Sequence, residues 1–153
     1  MSAEKTERAQ PGIRSEYARI CPIGTRWSDN DAYGHVNNVV YYAWFDTAVN
    51  RILLREGGLE VTRSEAIGLV VESGCRYHAP VAYPDDVTVG LRVAKLGRTS
   101  VRYELGVFVE GRAAAIAEGY FVHVFVNRAS RRPVAVPERI AKVLAVLTLS
   151  SEG

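Results

Sequence analysis

NVVYYAWFDTAVNRILLREGG, residues 38–58, is the stretch whose pattern decides the fold. Tyr41, Trp44, Phe45, Ala48, Ile52 and Leu53 recur at spacings of three and four, which aligns them on one face of an α-helix. Asn37 or Asn38 suits the N-cap, because an amide oxygen accepts from an otherwise unpaired backbone N–H. Gly57 and Gly58 supply the stop, since glycine takes the left-handed closing conformation without strain. The pattern predicts a helix from near Asn38 to Glu56, about five turns long with an aromatic face.

Short strands flank this helix, and after it the period drops to two. Upstream, Ile20 to Trp27 reads as a short strand bent at Pro22 and Gly24, followed by the turn formers of Ser28 to Gly34. Downstream lies a short polar segment, Leu59 to Ile67, and then Gly68 to Tyr77 reads as a strand closed by Pro80 and the Tyr83-Pro84-Asp85-Asp86 turn. Val87, Val89, Leu91 and Val93 alternate with smaller or polar residues. Beyond a Gly97–Arg98 turn, Val101, Tyr103, Leu105, Val107 and Val109 do so again. After a hairpin turn at Glu110–Gly111, Arg112 to Asn127 reads as one long strand. Ala115, Ala117, Phe121 and Phe125 form one of its faces and Ile116, Tyr120, Val122, Val124 and Val126 the other, with Glu118 and His123 as exceptions. A strand apolar on both faces needs cover on both. The long helix supplies one cover. A second helix, opened by Pro137 and carrying Ile140, Val143, Leu144 and Leu147, is a candidate for the other, as is a second subunit. The expected architecture is α+β, an antiparallel sheet wrapped around one long helix.

Composition bounds the class. The 153 residues are 48% hydrophobic and 24% charged, values that exclude a disordered chain. With 19 basic and 17 acidic residues, a net charge of +2 argues against a protein that coats nucleic acid. Cys21 and Cys75 lie far apart with no CxxC, so neither a zinc site nor a disulfide framework is signalled, and the compartment reads as reducing. No apolar run approaches the roughly 18 residues of a membrane helix, and the polar start MSAEKTERAQ lacks a signal-peptide core. The expectation is a cytoplasmic protein with no membrane partner. Residues 1–16 are too polar to offset their ordering entropy, which predicts a flexible tail before a single domain spanning 17–153.

The chemistry concentrates just before the long helix. Asp29-Asn30-Asp31-Ala32-Tyr33-Gly34-His35-Val36-Asn37-Asn38 places carboxylates, a glycine, an imidazole and two amides at its N-terminus. Unpaired N–H groups and a partial positive charge there stabilise an anion, including an oxyanion developing on an attacked carbonyl. A neighbouring carboxylate can attack that carbonyl or deprotonate a water. Acyl transfer to water fits this set. The commonest alternative for Asp31 is a turn residue bonding its own backbone, and for Asn37 a simple cap.

Asp29-x-Asp31-x-x-Gly34-His35-Val36-Asn37-Asn38, followed by Tyr41, Tyr42 and Phe45, resembles the signature of hotdog-fold acyl-CoA thioesterases of the 4-hydroxybenzoyl-CoA thioesterase type. Tyr77-x-x-Pro80 with Asp85-Asp86, and the stretch from Asn127 through Arg132-Pro133-Val134 to Val136-Pro137, extend the similarity over most of the chain. The resemblance implies a hotdog fold and hydrolysis of a thioester to free acid and coenzyme A. It places the catalytic carboxylate at Asp31 and the oxyanion donor at the Asn38 backbone N–H. His35 then takes a structural or substrate-orienting part, Asn37 helps to set the water, and Gly34 serves the backbone with close substrate approach as a second benefit. Tyr41 is core that also borders an acyl pocket, and Arg128, Arg131 and Arg132 form either a solvated turn or a cradle for coenzyme A phosphates. Arg76 and Arg98 are further basic candidates. The family implies edge-to-edge homodimers, often paired into tetramers, acting on coenzyme A or acyl carrier protein thioesters. It requires no cofactor or metal, coenzyme A being part of the substrate. A hotdog hydratase or dehydratase is the competing enzyme, disfavoured by the short interval from Asp31 to His35; a non-catalytic acyl-thioester binding protein is the other alternative.

Overall fold

The long helix, α1, runs Asn38–Arg55, and in the computed structural model, which describes residues 10–148, it packs against one face of a five-stranded antiparallel sheet. The strands are β1 (Arg19–Pro22), β2 (Ala66–Tyr77), β3 (Val87–Leu96), β4 (Ser100–Val109) and β5 (Ala117–Asn127). Their spatial order is β1-β3-β4-β5-β2. Tyr41, Trp44, Phe45, Ala48, Val49, Ile52 and Leu53 are all buried, so the stripe read at helical spacing is the face that meets the sheet. Gly58, at φ +69°, ends the helix, and the Leu59 N–H returns to the Leu53 carbonyl at 3.0 Å.

The second helix, α2, is Glu138–Val146 and begins one residue after Pro137 rather than on it. It does not cover the far side of the sheet. Ile140, Leu144 and Leu147 join the same core as α1, and the Arg139 guanidinium donates to the Glu56 carbonyl at 3.1 Å. The inward face of β5 is Ala117, Phe121, His123 and Phe125; outward, Tyr120, Val122 and Val124 stay half-buried. The outer face is covered only in part. Tyr17 fills the notch left by the bare backbones of Gly90 and Gly106, against Phe108 and Ala115, and Arg102 stacks on Tyr120 at 4.0 Å.

Three expected boundaries shift for tertiary reasons. The first strand is Arg19–Pro22 and ends well before the expected Trp27, which enters a 3-10 turn, Trp27–Asp29, because the Asp29 carboxylate draws in the Arg26 amide and guanidinium. The last strand begins at Ala117, not Arg112, since the Ala115 N–H goes to the Gly12 carbonyl and the Ile116 carbonyl accepts from His78 and Ala79. Residues 1–9 of the expected tail lie outside the described residues. Ile13 already bridges Ala114, and the Arg14 guanidinium donates to the Arg112 and Val109 carbonyls at 3.0 and 2.9 Å.

His123 is 2% exposed on the inward face, its Nδ1 lying 3.2 Å from the Tyr103 hydroxyl. Burial pushes its imidazole down to about 4, whereas the unfolded chain protonates near the ordinary 6.5. The stability this adds is full above the unfolded value and is lost as pH falls toward the folded one, by about 3 kcal/mol at pH 4. His123→Phe is expected to flatten the stability profile between pH 7 and pH 4, read from urea midpoints. Parallel profiles for the two proteins would show that His123 does not drive the acid loss.

Candidate active site

The loop leading into α1 is fastened at both ends. At its start Asp29, 1% exposed, accepts from the Arg26 N–H at 2.7 Å and from the guanidinium at 2.9 and 3.1 Å. At its end the Val36 N–H donates to the Val81 carbonyl at 2.8 Å and the Asn37 N–H to the Asp29 carbonyl at 2.9 Å. Between them the Asp31 N–H meets the His35 carbonyl at 2.8 Å, and the Gly34 N–H the Asp31 carbonyl at 3.1 Å. Gly34 sits at φ +82°, where a side chain would strain the backbone. Asp31 is half-buried, and its Oδ1 accepts from the Tyr33 N–H at 2.8 Å. The turn role weighed for this aspartate is therefore real, and it leaves Oδ2 without a protein partner among the described residues.

Asn37 is the N-cap, its Oδ1 accepting from the Val39 N–H at 3.1 Å and its carbonyl from the Val40 N–H at 2.9 Å. The Asn38 N–H has no partner among the described residues. It projects from the positive end of an 18-residue helix.

A cavity of about 290 Å³ opens beside this terminus. His35, Val36, Asn38 and Tyr41 line it from the helix side, and Tyr77, His78, Ala79 and Pro80 from the end of β2. The Tyr77 hydroxyl donates to the Asn38 carbonyl at 3.0 Å, and its ring stands edge-on to Tyr41 at 5.0 Å. That clamp joins the strand end to the helix start. Burial pushes the Tyr41 hydroxyl up to about 12, so it stays protonated near neutral pH. His78 Nε2 lies 2.9 Å from Glu118 Oε1, whose second oxygen takes the Gly12 N–H at 3.3 Å.

Of the residues singled out in the sequence, His35, Asn38 and Tyr41 share the cavity, while Asp31, Gly34 and Asn37 belong to the loop and cap beside it. The arginines are elsewhere. β5 runs from Ala117, paired with Tyr77 at the cavity end, to Asn127, a span of about 33 Å. Arg128, just beyond, donates to the Ser64 and Val61 carbonyls at 2.8 and 2.6 Å, which pins the loop before β2. Arg131, at φ +62°, and Arg132 are exposed on a turn that Asn127 organises through the Ala129 and Ser130 amides. Within this chain these cations lie at the other end of β5 from the cavity. The pattern reading missed His78 as a lining residue; its partner Glu118 was visible only as a charge interrupting an apolar strand. Among the described residues no group of three or more His, Cys, Asp or Glu side chains could hold a metal ion.

Residues 25–144 match the thioesterase-like superfamily. The PA5185 protein of Pseudomonas aeruginosa strain PAO1 has a crystal structure that superposes with a TM-score of 0.90 at 56% identity, covering 94% of this chain and 100% of that one. A thioesterase from Thermus thermophilus, complexed with coenzyme A and Zn, superposes with a TM-score of 0.71 at 30% identity over 86% of this chain and 94% of that one. A Bacillus stearothermophilus protein described as a "predicted thioesterase" gives 0.74 at 26% identity over 86% and 96%. With a hotdog sheet around its long helix and a match spanning that helix and every strand after it, the chain belongs to the thioesterase-like superfamily of thioester hydrolases.

Proposed function

We propose that the protein hydrolyses acyl-CoA thioesters to free acid and coenzyme A, with Asp31 as the reacting carboxylate and the Asn38 N–H as the oxyanion donor. The observation that carries this is the unpartnered Asn38 N–H at the head of α1, over a cavity and beside a loop whose carboxylate keeps one oxygen free. Asp31 either attacks the thioester carbonyl, giving a mixed anhydride that water then opens, or takes a proton from water as it attacks. In both routes the carbonyl oxygen gains charge, which the helix terminus stabilises, and the thiolate of coenzyme A departs. His35 orients the substrate, Asn37 holds the helix start, and the scheme uses no metal or redox group.

The assembly we infer is a homodimer through β2. This strand has 12 residues, lies at the sheet edge and exposes Val70, Val71 and Tyr77. A long, apolar, unpaired edge invites a second strand. Two-fold symmetry would pair β2 antiparallel with its copy and bring the Ala66 end of one beside the Tyr77 end of the other. Because the Arg128 N–H bonds the Glu65 carbonyl at 2.6 Å, that arrangement carries Arg131 and Arg132 of the partner subunit toward the cavity. Guanidinium groups there suit the phosphates of coenzyme A.

Thiol release across an acyl-CoA panel tests the reaction, and no release from any member rejects it. Arg131→Ala and Arg132→Ala are each expected to raise KM for acyl-CoA about tenfold and to leave KM for short acyl-cysteamine thioesters within about twofold. Equal effects on both substrate types would reject phosphate recognition.

A further inference from the structure

On the β2 side of the cavity stands His78, an imidazole that the proposed attack on the thioester does not use. Its backbone is fixed on two sides. The His78 and Ala79 N–H groups both donate to the Ile116 carbonyl, at 2.8 and 3.1 Å, and three residues further on the Val81 carbonyl accepts the Val36 N–H at 2.8 Å. The stretch that carries His78 is thereby tied to the loop that carries Asp31.

The ring is held as well. His78 Nε2 lies 2.9 Å from Glu118 Oε1, and the second oxygen of that carboxylate accepts the Gly12 N–H at 3.3 Å. Arg76 stands opposite Glu118 in the strand register, yet the two form no ion pair among the described residues, which leaves the carboxylate to the imidazole. Gly12 precedes residues 25–144, the stretch that matches the family, so this anchor comes from the N-terminal arm.

An ionised carboxylate only accepts hydrogen bonds, so in the neutral ring the proton sits on Nε2 and Nδ1 keeps its lone pair. Nδ1 has no partner among the described residues and is open to solvent. His35, the other imidazole of the cavity, is exposed and has no carboxylate to orient it.

The route through Asp31 as nucleophile needs a second base. Once Asp31 is bonded to the acyl carbon as a mixed anhydride, it cannot take a proton from the water that must open it. Resting on the thioester reading, we propose that His78 is the base for that water, and that Glu118 is the positioning residue that keeps the lone pair on Nδ1. The water oxygen bonds to the acyl carbon as its proton passes to Nδ1. The bond from that carbon to Asp31 breaks, the aspartate leaves as a carboxylate and the free acid departs. The imidazolium then gives up the proton, which balances the coenzyme A thiolate lost in the first step.

Stopped-flow thiol release by the full chain, on an acyl-CoA that the wild-type protein turns over, tests this. His78→Gln keeps a side-chain N–H for Glu118 but has no basic nitrogen. It is expected to release about one thiol per active site at close to the wild-type rate and then to slow about 10²-fold. Glu118→Gln is expected to give the same two phases, the second slowed at least about tenfold, because an amide N–H facing Nε2 moves the ring proton to Nδ1. A purely structural loss would lower both phases together. That result would overturn the inference, as would unchanged turnover in His78→Gln, and either leaves the thioester reading intact. No thiol release by the wild-type protein from any acyl-CoA would overturn both.

Discussion

Asp31→Asn is expected to lower kcat by about 10²–10⁴-fold, the usual loss when a positioned acid–base or nucleophilic group is removed. The substitution isolates chemistry from architecture. An asparagine side-chain oxygen can still accept the Tyr33 N–H that Asp31 holds at 2.8 Å, and the bonds from the 31 N–H to His35 and from Gly34 to the 31 carbonyl are backbone only. The loop therefore keeps its shape while the side chain loses its charge and basicity. Binding of a non-hydrolysable acyl-CoA thioether is expected to stay within about threefold, because the cavity residues and the Asn38 N–H are untouched. Asp29→Asn is the control: it weakens a buried carboxylate that holds Arg26, so its effect should appear in thermal unfolding as well as in turnover. Wild-type thiol release by Asp31→Asn would remove the carboxylate from the mechanism.

Phe45→Ala is expected to cost 3–5 kcal/mol of stability, about the range for truncating a fully buried aromatic side chain. Phe45 is 1% exposed at the centre of the aromatic stripe. Its ring reaches the sheet where the facing residue is Gly119, close enough that a Cβ there would meet Phe45 Cε2 at 2.5 Å. The glycine has no side chain to move into the vacated volume, so the hole closes poorly and the cost falls toward the upper end. Urea denaturation with unchanged slope is the measurement, and a loss below about 1 kcal/mol would mean that α1 is seated by other contacts. Because α1 carries the Asn38 N–H, the variant is also expected to lose turnover below its unfolding transition.

Legibility differed by element. α1 was readable almost to the residue because its cap, stripe and stop all lie within one short stretch: Asn37 caps Val39, six of the seven buried positions form the spaced set, and Gly58 closes the turn. β3 and β4 were readable because their large apolar residues recur at every second position toward the main core, Val87 to Val93 in one and Val101 to Val107 in the other, although Phe108 is buried on the opposite face against Tyr17. β5 was misjudged at its start, where residues 113–115 are all alanine and carry no face pattern, and the Ala115 and Ile116 amides find partners at Gly12 and Val107 instead of continuing a regular ladder. α2 was found as a helix but assigned the wrong duty. Its apolar residues are compatible with either face of the sheet, and the Arg139–Glu56 contact with the end of α1 is invisible to local spacing.

The candidate site divides in the same way. The loop motif and the helix start were legible because the groups that act together lie within ten residues, so turn and cap chemistry alone places them side by side. The clamp of Tyr77 onto Asn38 and the distance between the cavity and the arginines are set by strand pairing across tens of residues. Local sequence determines helix, turn and alternation because those hydrogen bonds close over a few positions. Which edge stays open and which charges end up far apart belong to the folded chain, where pairing partners are chosen by the burial of the whole sheet.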